Sequence, residues 1–276
     1  MKKKLYLVGA IASDPNYYEK FARSEEFFKA QNYEVFNPAR LIDIPEHAAF
    51  YEANKHDPEK ISEYFLALCF PMLDQCDELF IHCDWMYSDG SMKEIIRGQK
   101  AKKIMTFQKK IIILTGKKRA GKDTFCFYSG FRNMKLALPI KDIANIFFGK
   151  EITDDQKEIV DLEIGISPRE FMQKFGNEFS KDLTSDNIWL DNLVRRLRTT
   201  QDSHICVTDC RFQFEADGII RFAKENNCNY RVVKIVRDTG LEDSHITEIC
   251  DVSADITIEN NGSLEEFQLK VTEALK

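Results

Sequence analysis

Apolar and polar positions fall into two successive sets along this chain, each made of short apolar runs separated by longer stretches with helical spacing. In the first set, residues 4–9, 33–36, 78–83 and 103–107 read as strands, and residues 16–31, 62–76 and 91–101 as amphipathic helices. Pro71 predicts a kink or interruption in the second of these helices. Residues 40–57 contain a proline and two histidines without a clear period and read as irregular. The pattern restarts at Lys110. Strands are expected at 111–114, 135–138, 204–208, 231–236 and 255–259, and helices at 122–131, 140–147, 168–182, 186–198, 213–226 and 263–275. Pro168 suits a first helical turn, and Ser263 an N-cap. Strands alternating with helices predict parallel sheets covered on both faces, with ligand crevices beyond the carboxyl ends of the strands. The expected fold class is α/β, with two parallel-sheet α/β domains in series, 1–107 and 108–276, joined without a Gly/Ser-rich linker.

Composition narrows the partners. Of 276 residues, 43% are hydrophobic and 30% charged, as in a globular protein with a sizeable core. No apolar run approaches the ~20 residues that span a bilayer. The apolar stretch behind Met1-Lys2-Lys3-Lys4 is too short for a secretory signal, so no membrane association is expected. The net charge of −6 is shared about evenly by the two parts, which excludes a basic nucleic-acid module. Lys117-Lys118-Arg119 and Arg195-Arg196-Leu197-Arg198 are local exceptions, suited to a small polyphosphate or to a solvated face. The eight cysteines form no C-x-x-C pair. Scattered through apolar runs, they fit reduced thiols and a cytoplasmic setting.

The densest chemistry lies in Gly116-Lys117-Lys118-Arg119-Ala120-Gly121-Lys122-Asp123-Thr124, which follows an apolar strand and opens a helix. Backbone N–H groups of such a loop, with the positive end of the helix, can cradle a β-phosphate, and Lys122 can reach the β- and γ-phosphates. Gly116, Lys117, Arg119, Gly121, Lys122, Asp123 and Thr124 are therefore read as the ATP-binding residues. The pattern usually has Ser or Thr directly after the lysine, as a Mg²⁺ ligand; here Asp123 stands there. Asp123 acts through a water, or Thr124 substitutes. A second acidic element is expected at the end of a buried strand, and Ile205-Cys206-Val207-Thr208-Asp209 supplies it, either as a Mg²⁺ ligand or as a turn cap. Arg211 would face the same crevice.

In the first part, Asp84-Trp85-Met86-Tyr87-Ser88-Asp89-Gly90-Ser91-Met92-Lys93-Glu94 follows a strand and opens a helix. Ser88, Gly90 and Ser91 could present hydroxyls and N–H groups to an anion, with the Glu94 carboxylate one turn in. Ser91-x-x-Glu94 is equally a capping box that needs no chemistry.

Six ordered blocks of the second part resemble the deoxynucleoside monophosphate kinases of tailed bacteriophages: Gly116 to Thr124, Leu136-Ala137-Leu138-Pro139-Ile140-Lys141-Asp142, Arg169-Glu170-Phe171-Met172-Gln173-Lys174-Phe175-Gly176, Asp209-Cys210-Arg211-Phe212, Ser244-His245-Ile246-Thr247-Glu248 and Glu259-Asn260-Asn261-Gly262-Ser263-Leu264-Glu265. The resemblance covers about residues 110–276. It implies a P-loop kinase domain that phosphorylates deoxynucleoside 5'-monophosphates with ATP and Mg²⁺ in a host cytoplasm. It assigns Lys122 to the ATP phosphates, and Lys141, Arg169 and Arg211 to the acceptor nucleotide. Arg195, Arg196 and Arg198 either close over the transferring phosphoryl group or form a solvated helix face. His245 reads as a cap or brace.

Over about residues 4–107, Leu5-Tyr6-Leu7-Val8-Gly9-Ala10-Ile11, Tyr33-Glu34-Val35-Phe36-Asn37-Pro38 and Ser88 to Glu94 are similar to the nucleoside 2-deoxyribosyltransferase and deoxynucleotide N-glycosidase superfamily. This likeness implies a Rossmann-like domain in which Glu94 attacks the sugar C1′ and Ser88 binds a 5′-phosphate, with Gly9, Gly90 and Ser91 beside them. Two departures stand out. An acidic partner carried by family members falls near Cys69, which leaves Asp77, Asp84 or Asp89 to compensate. The loop Ala10-Ile11-Ala12-Ser13 also lacks the serine and arginine of the phosphate-binding branch. The resulting expectation is a kinase fused to a glycosidase or deoxyribosyltransferase. The alternative is a kinase carrying a non-catalytic nucleotide-binding or oligomerisation domain, and a homo-oligomer is left open.

Overall fold

The computed structural model describes residues 2–153, 155–183, 187–238 and 252–275. The chain divides into two compact units, Met1–Lys109 and Lys110–Lys276. The Ser244 to Glu248 block, with His245, lies outside the described residues.

Unit 1 is a four-stranded parallel sheet in the order β2-β1-β3-β4, formed by β1 (Lys4–Val8), β2 (Glu34–Phe36), β3 (Glu78–Ile81) and β4 (Ile104–Phe107). Its helices are α1 (Tyr17–Ala30), α2 (Pro45–Ala53), α3 (Pro58–Asp74) and α4 (Asp89–Lys100). Successive side chains of β1 point to opposite faces, so this strand feeds two cores. Leu5 and Leu7 pack with Phe21 and Phe80, whereas Tyr6 and Val8 pack with Cys69, Leu73 and Ile81. The sheet order reverses between β1 and β3, and a crevice opens beyond their carboxyl ends.

Unit 2 repeats the principle with five parallel strands in the order β6-β7-β5-β8-β9: β5 (Lys110–Thr115), β6 (Arg132–Asn133), β7 (His204–Val207), β8 (Asn229–Val236) and β9 (Ile256–Glu259). The helices are α5 (Lys122–Ser129), α6 (Leu138–Phe147), α7 (Pro168–Leu183), α8 (Ile188–Thr199), α9 (Gln213–Glu225) and α10 (Leu264–Ala274). Ile111 and Ile113 of the central strand β5 face one core, and Ile112 and Leu114 the other. Its neighbours β7 and β8 cross to opposite sides of it, so the switch point lies at the end of β5.

Three local expectations need correction. Residues 45–53 are helical because Pro45 sits in the first turn of α2, where its missing N–H costs nothing. The strand expected at 135–138 is the two-residue β6 at Arg132–Asn133, and the α6 helix already begins at Leu138. Pro71 does not interrupt the helix: it lies inside α3, which continues to Asp74. No described helix is long and apolar enough to cross a membrane.

Candidate functional site

Each unit carries a candidate site at its switch point. In unit 2, the chain turns immediately after β5. Gly116 and Gly121 adopt φ of 136° and 111°, which side chains resist. A Cβ at Gly116 would lie 2.2 Å from the Ile235 carbonyl oxygen, and one at Gly121 would lie 2.4 Å from Asn260 Nδ2. Asn260, buried beyond β9, pins the loop by donating to the Ala120 carbonyl at 2.8 Å. Lys122 opens α5, and its ammonium folds back to donate to the carbonyls of Gly116 (2.6 Å) and Lys117 (2.7 Å). Lys117, Lys118 and Arg119 are exposed around the loop, and Arg119 has a φ of 65°.

Beside the loop a polar cluster joins three strand ends. The Asp123 carboxylate accepts from the Lys135 ammonium at 2.8 Å and from the Asn133 amide at 3.2 Å. The Thr208 hydroxyl lies 3.2 Å from that carboxylate and 3.0 Å from the Asn133 amide oxygen, with one proton to offer. Thr124 follows Asp123 in the first turn of α5. Asp209 turns elsewhere: its two carboxylate oxygens accept the N–H groups of Leu136 (2.8 Å) and Ala137 (2.9 Å), holding the entry to α6. Burial raises its carboxyl above the ordinary range against the pull of those two donors. Arg196 holds the same segment, donating to the Lys135 carbonyl at 2.6 Å and to Asn192 at 2.9 Å. Arg195 and Arg198 are exposed on α8.

The expected acceptor residues have these surroundings. Arg211 follows β7, its backbone N–H bonded to Glu215 at 2.7 Å. Lys141 is in the opening turn of α6. Arg169 opens α7, with its guanidinium paired to Glu158 and its N–H donating to the Lys157 carbonyl at 2.8 Å. Lys118 approaches the same Glu158 at 3.6 Å. Helices α6 and α7 pack together through Ala144, Phe148, Phe171 and Met172. The topology thus gathers Lys122, Asp123, Asp209 and Arg211 at the ends of adjacent strands, and sets Lys141 and Arg169 on a helix pair.

In unit 1, a cavity of about 810 Å³ opens at the carboxyl ends of β1 and β3 and includes Gly9, Tyr17, Phe65, Ser88, Ser91 and Glu94 in its wall. Glu94 is buried on α4, accepts the Tyr6 hydroxyl at 2.5 Å and is hydrogen-bonded by the Cys69 thiol. Burial pushes its carboxyl up to about 7, although both hydrogen bonds favour the anion. Burial likewise pushes the Cys69 thiol up to about 12, so it stays protonated at neutral pH.

The capping-box expectation is corrected. Ser88 caps α4 by accepting the Ser91 N–H at 3.2 Å, and Glu94 instead points inward to Tyr6. Two of the expected substitutes for an acidic partner are committed elsewhere. Asp77 accepts the Lys4 N–H, and Asp84 pairs with Lys20 and accepts from the Ala10 N–H. Asp89 lines the cavity from the first turn of α4. Gly9 is tight against His82, where a Cβ would lie 2.9 Å from Nδ1. That ring is bonded to the Val8 carbonyl and to Ser24, and burial lowers it to about 4, so it is a neutral brace.

Among the described residues, two buried side-chain oxygens lack a hydrogen-bond partner: Ser91 Oγ in the wall of this cavity and Thr115 Oγ1 at the root of the glycine loop. Buried hydroxyls are ordinarily paired, so one orphan at each candidate site fits places where ligand or water completes the bonding. The sequence reading missed Tyr6, Asn133, Lys135, Thr208 and Asn260 as site members. Tyr6 carried a signal, a hydroxyl inside an otherwise apolar strand.

Residues 146–271 match the model of the deoxynucleotide monophosphate kinase family, a span that includes Arg169, Asp209 and Arg211. Residues 3–107 match the model described as domain of unknown function DUF4406. No curated protein matches the chain. Solved structures similar to it include the Mycobacterium tuberculosis APS kinase CysC in complex with AMPPNP and APS, at 12% identity, with 61% of this chain and 98% of that one covered and a TM-score of 0.35. A putative kinase from Chloroflexus aurantiacus shows 12% identity over 61% and 96% of the two chains, with a TM-score of 0.35. Shikimate kinase from Aquifex aeolicus shows 11% over 60% and 95%, with a TM-score of 0.34.

Proposed function

We propose that unit 2 transfers the γ-phosphoryl group of ATP to a deoxynucleoside 5′-monophosphate, and that unit 1 breaks the N-glycosidic bond of a deoxynucleotide. The observation that supports the kinase reading most directly is Lys122, folded onto the carbonyls of its own glycine loop at the end of the central strand. The family match over residues 146–271, which include Arg169 and Arg211, supports it further.

An acceptor phosphate has a second pKa near ~6 and is already a nucleophilic dianion at neutral pH, so no strong general base is needed. The work is to bring two polyanions together in line, which falls to cations and backbone donors. Lys122 exchanges its loop carbonyls for phosphate oxygens. Lys141, Arg169 and Arg211 hold the acceptor, and Arg169 leaves Glu158 to do so. The residues present fit a magnesium ion: Asp123, the Thr208 hydroxyl and the Asn133 amide oxygen are hard oxygen donors, and an ammonium already lies against the carboxylate where a cation belongs. When bound with nucleotide, Mg²⁺ supplies neutralisation of phosphate charge. Asp123 is the principal holder in this reading, with Thr124 next to it, while Asp209 positions the start of α6.

In unit 1 the supporting observation is Glu94, a buried acid in the wall of a cavity and close to half-ionised at neutral pH. As the carboxylate it attacks C1′ of the deoxyribose. The C1′–N bond breaks, and its electron pair leaves with the base, which takes a proton from solvent water. Water then hydrolyses the glycosyl ester, restoring the carboxylate; a second base in place of water gives exchange. Tyr6 orients the attacking oxygen, and Gly9, Ser88, Gly90 and Ser91 border the substrate.

The test is incubation with each deoxynucleoside and deoxynucleotide, with and without Mg-ATP, and identification of products by chromatography. Diphosphate is expected only with Mg-ATP, and free base without it. ATP breakdown indifferent to every monophosphate would overturn the kinase reading. A second reading of unit 1, binding without turnover, has one observation in its favour: a thiol, Cys69, occupies the place beside Glu94 expected for an acid. Nucleotide bound without base release would select it.

A further inference from the structure

A phosphate loop of this form ordinarily follows its lysine with a neutral hydroxyl. Asp123 puts a full negative charge there, and its counter-ion is Lys135, 2.8 Å away. The backbone that carries this lysine is fixed at three points. Arg196 holds the Lys135 carbonyl, and Asp209 holds the next two N–H groups. The side chain itself is 41% exposed, so it can swing without moving its anchor.

We infer that Lys135 is the resident counter-ion of the metal place: its ammonium competes with a divalent cation for Asp123 and yields when a polyphosphate enters the loop. The inference rests on the kinase reading of unit 2. A divalent ion arriving alone must shed water and displace an ammonium to gain a single carboxylate, and Mg²⁺ dehydrates reluctantly. A triphosphate changes that balance. Its oxygens complete the metal's shell, and its charge gives the released ammonium a new partner. Metal and nucleotide therefore bind with positive coupling, and the coupling is reciprocal. Thr208 and Asn133 share the same carboxylate, and both can stay bonded to it when the ammonium leaves.

The test uses Mn²⁺ alone, titrated into the full chain without nucleotide and followed by electron paramagnetic resonance. Lys135→Met is expected to tighten Mn²⁺ binding about fivefold to tenfold, the scale of a partly exposed ion pair. Lys135→Arg should restore the weak binding of the wild type. Lys135→Met combined with Asp123→Asn should lose the gain. Equal Mn²⁺ affinity in wild type and Lys135→Met, or a gain that survives Asp123→Asn, overturns the inference. Circular dichroism of each variant reports folding. Because the titration needs no substrate, it stands apart from the kinase reading: a protein that shows the Mn²⁺ pattern but never phosphorylates a monophosphate sinks that reading and leaves the counter-ion.

Discussion

Glu94 in unit 1 and Lys122 in unit 2 both lie just beyond the carboxyl end of a parallel sheet, yet their surroundings differ in kind. Glu94 is buried beside Tyr6 and Cys69 in the wall of a cavity, and desolvation holds its carboxyl up to about 7. Lys122 lies on a loop whose neighbours Lys117, Lys118 and Arg119 are exposed, and its ammonium is met by two carbonyls. Parallel sheets set the location of a site through strand order. The character of each site then follows from what the two adjoining loops expose: one removes water from a single acid, and the other sets exposed lysines and an arginine around a glycine turn. In the function proposed above, the same scaffold would serve covalent attack in one unit and electrostatic stabilisation in the other.

The sharpest way to break this contrast is a pair of substitutions read in both assays. Lys122→Ala is expected to lower diphosphate formation by about a thousandfold or more, since it removes the cation that the proposed mechanism places on the transferring group. Base release should be unchanged. Glu94→Gln should lower base release by a similar factor, roughly a thousandfold, and leave phosphorylation intact. Chromatographic rates of both products check this. A near-normal phosphorylation rate in Lys122→Ala refutes the loop assignment, and either variant depressing both products refutes the separation of the two sites.

The glycine loop and most strand positions were legible because they are local and periodic. Alternating apolar runs mark strands, and a glycine loop between strand and helix has few other uses. The polar cluster around Asp123 was not legible. Its members Asn133, Lys135 and Thr208 come from two other strand ends, and only sheet order brings them beside α5. Glu94 fitted two local patterns equally well. The choice between cap and buried acid was made by Tyr6, 88 residues earlier in the chain. Helix α2 was missed because Pro45 reads as a breaker in isolation and as a first-turn residue once its position is known.

A smaller effect separates the two turns. Gly121→Ala places a Cβ 2.4 Å from the Asn260 amide at a φ of 111°, so it should destabilise unit 2 by about 1–3 kcal/mol and weaken ATP binding. Gly90→Ala meets nothing closer than 3.7 Å and lies in the first turn of α4, so it should leave the stability of unit 1 unchanged or raise it by up to ~1 kcal/mol. Calorimetric melting of the full chain checks both. Equal tolerance of the two alanines would show that the phosphate loop does not depend on its left-handed turn.

The gentlest probe is pH, and its sign follows from burial. The Glu94 carboxyl rises from an ordinary 4.5 to about 7 in the folded chain. Below 4.5 the group is protonated in both states and burial costs little. Between 4.5 and 7 the folded chain keeps a proton that the unfolded chain has released, so stability falls as pH rises through that window. Above 7 the buried anion carries its whole cost, on the order of 3 kcal/mol. Glu94→Gln removes the titrating group, and its melting temperature should stay flatter between pH 5 and 8 while the wild type declines. Base release should move the opposite way, rising through pH 7 as the attacking carboxylate forms. Parallel melting curves for the two proteins would mean that Glu94 is not held as a buried acid, and with that the electrostatic contrast between the units would fail at its unit 1 end.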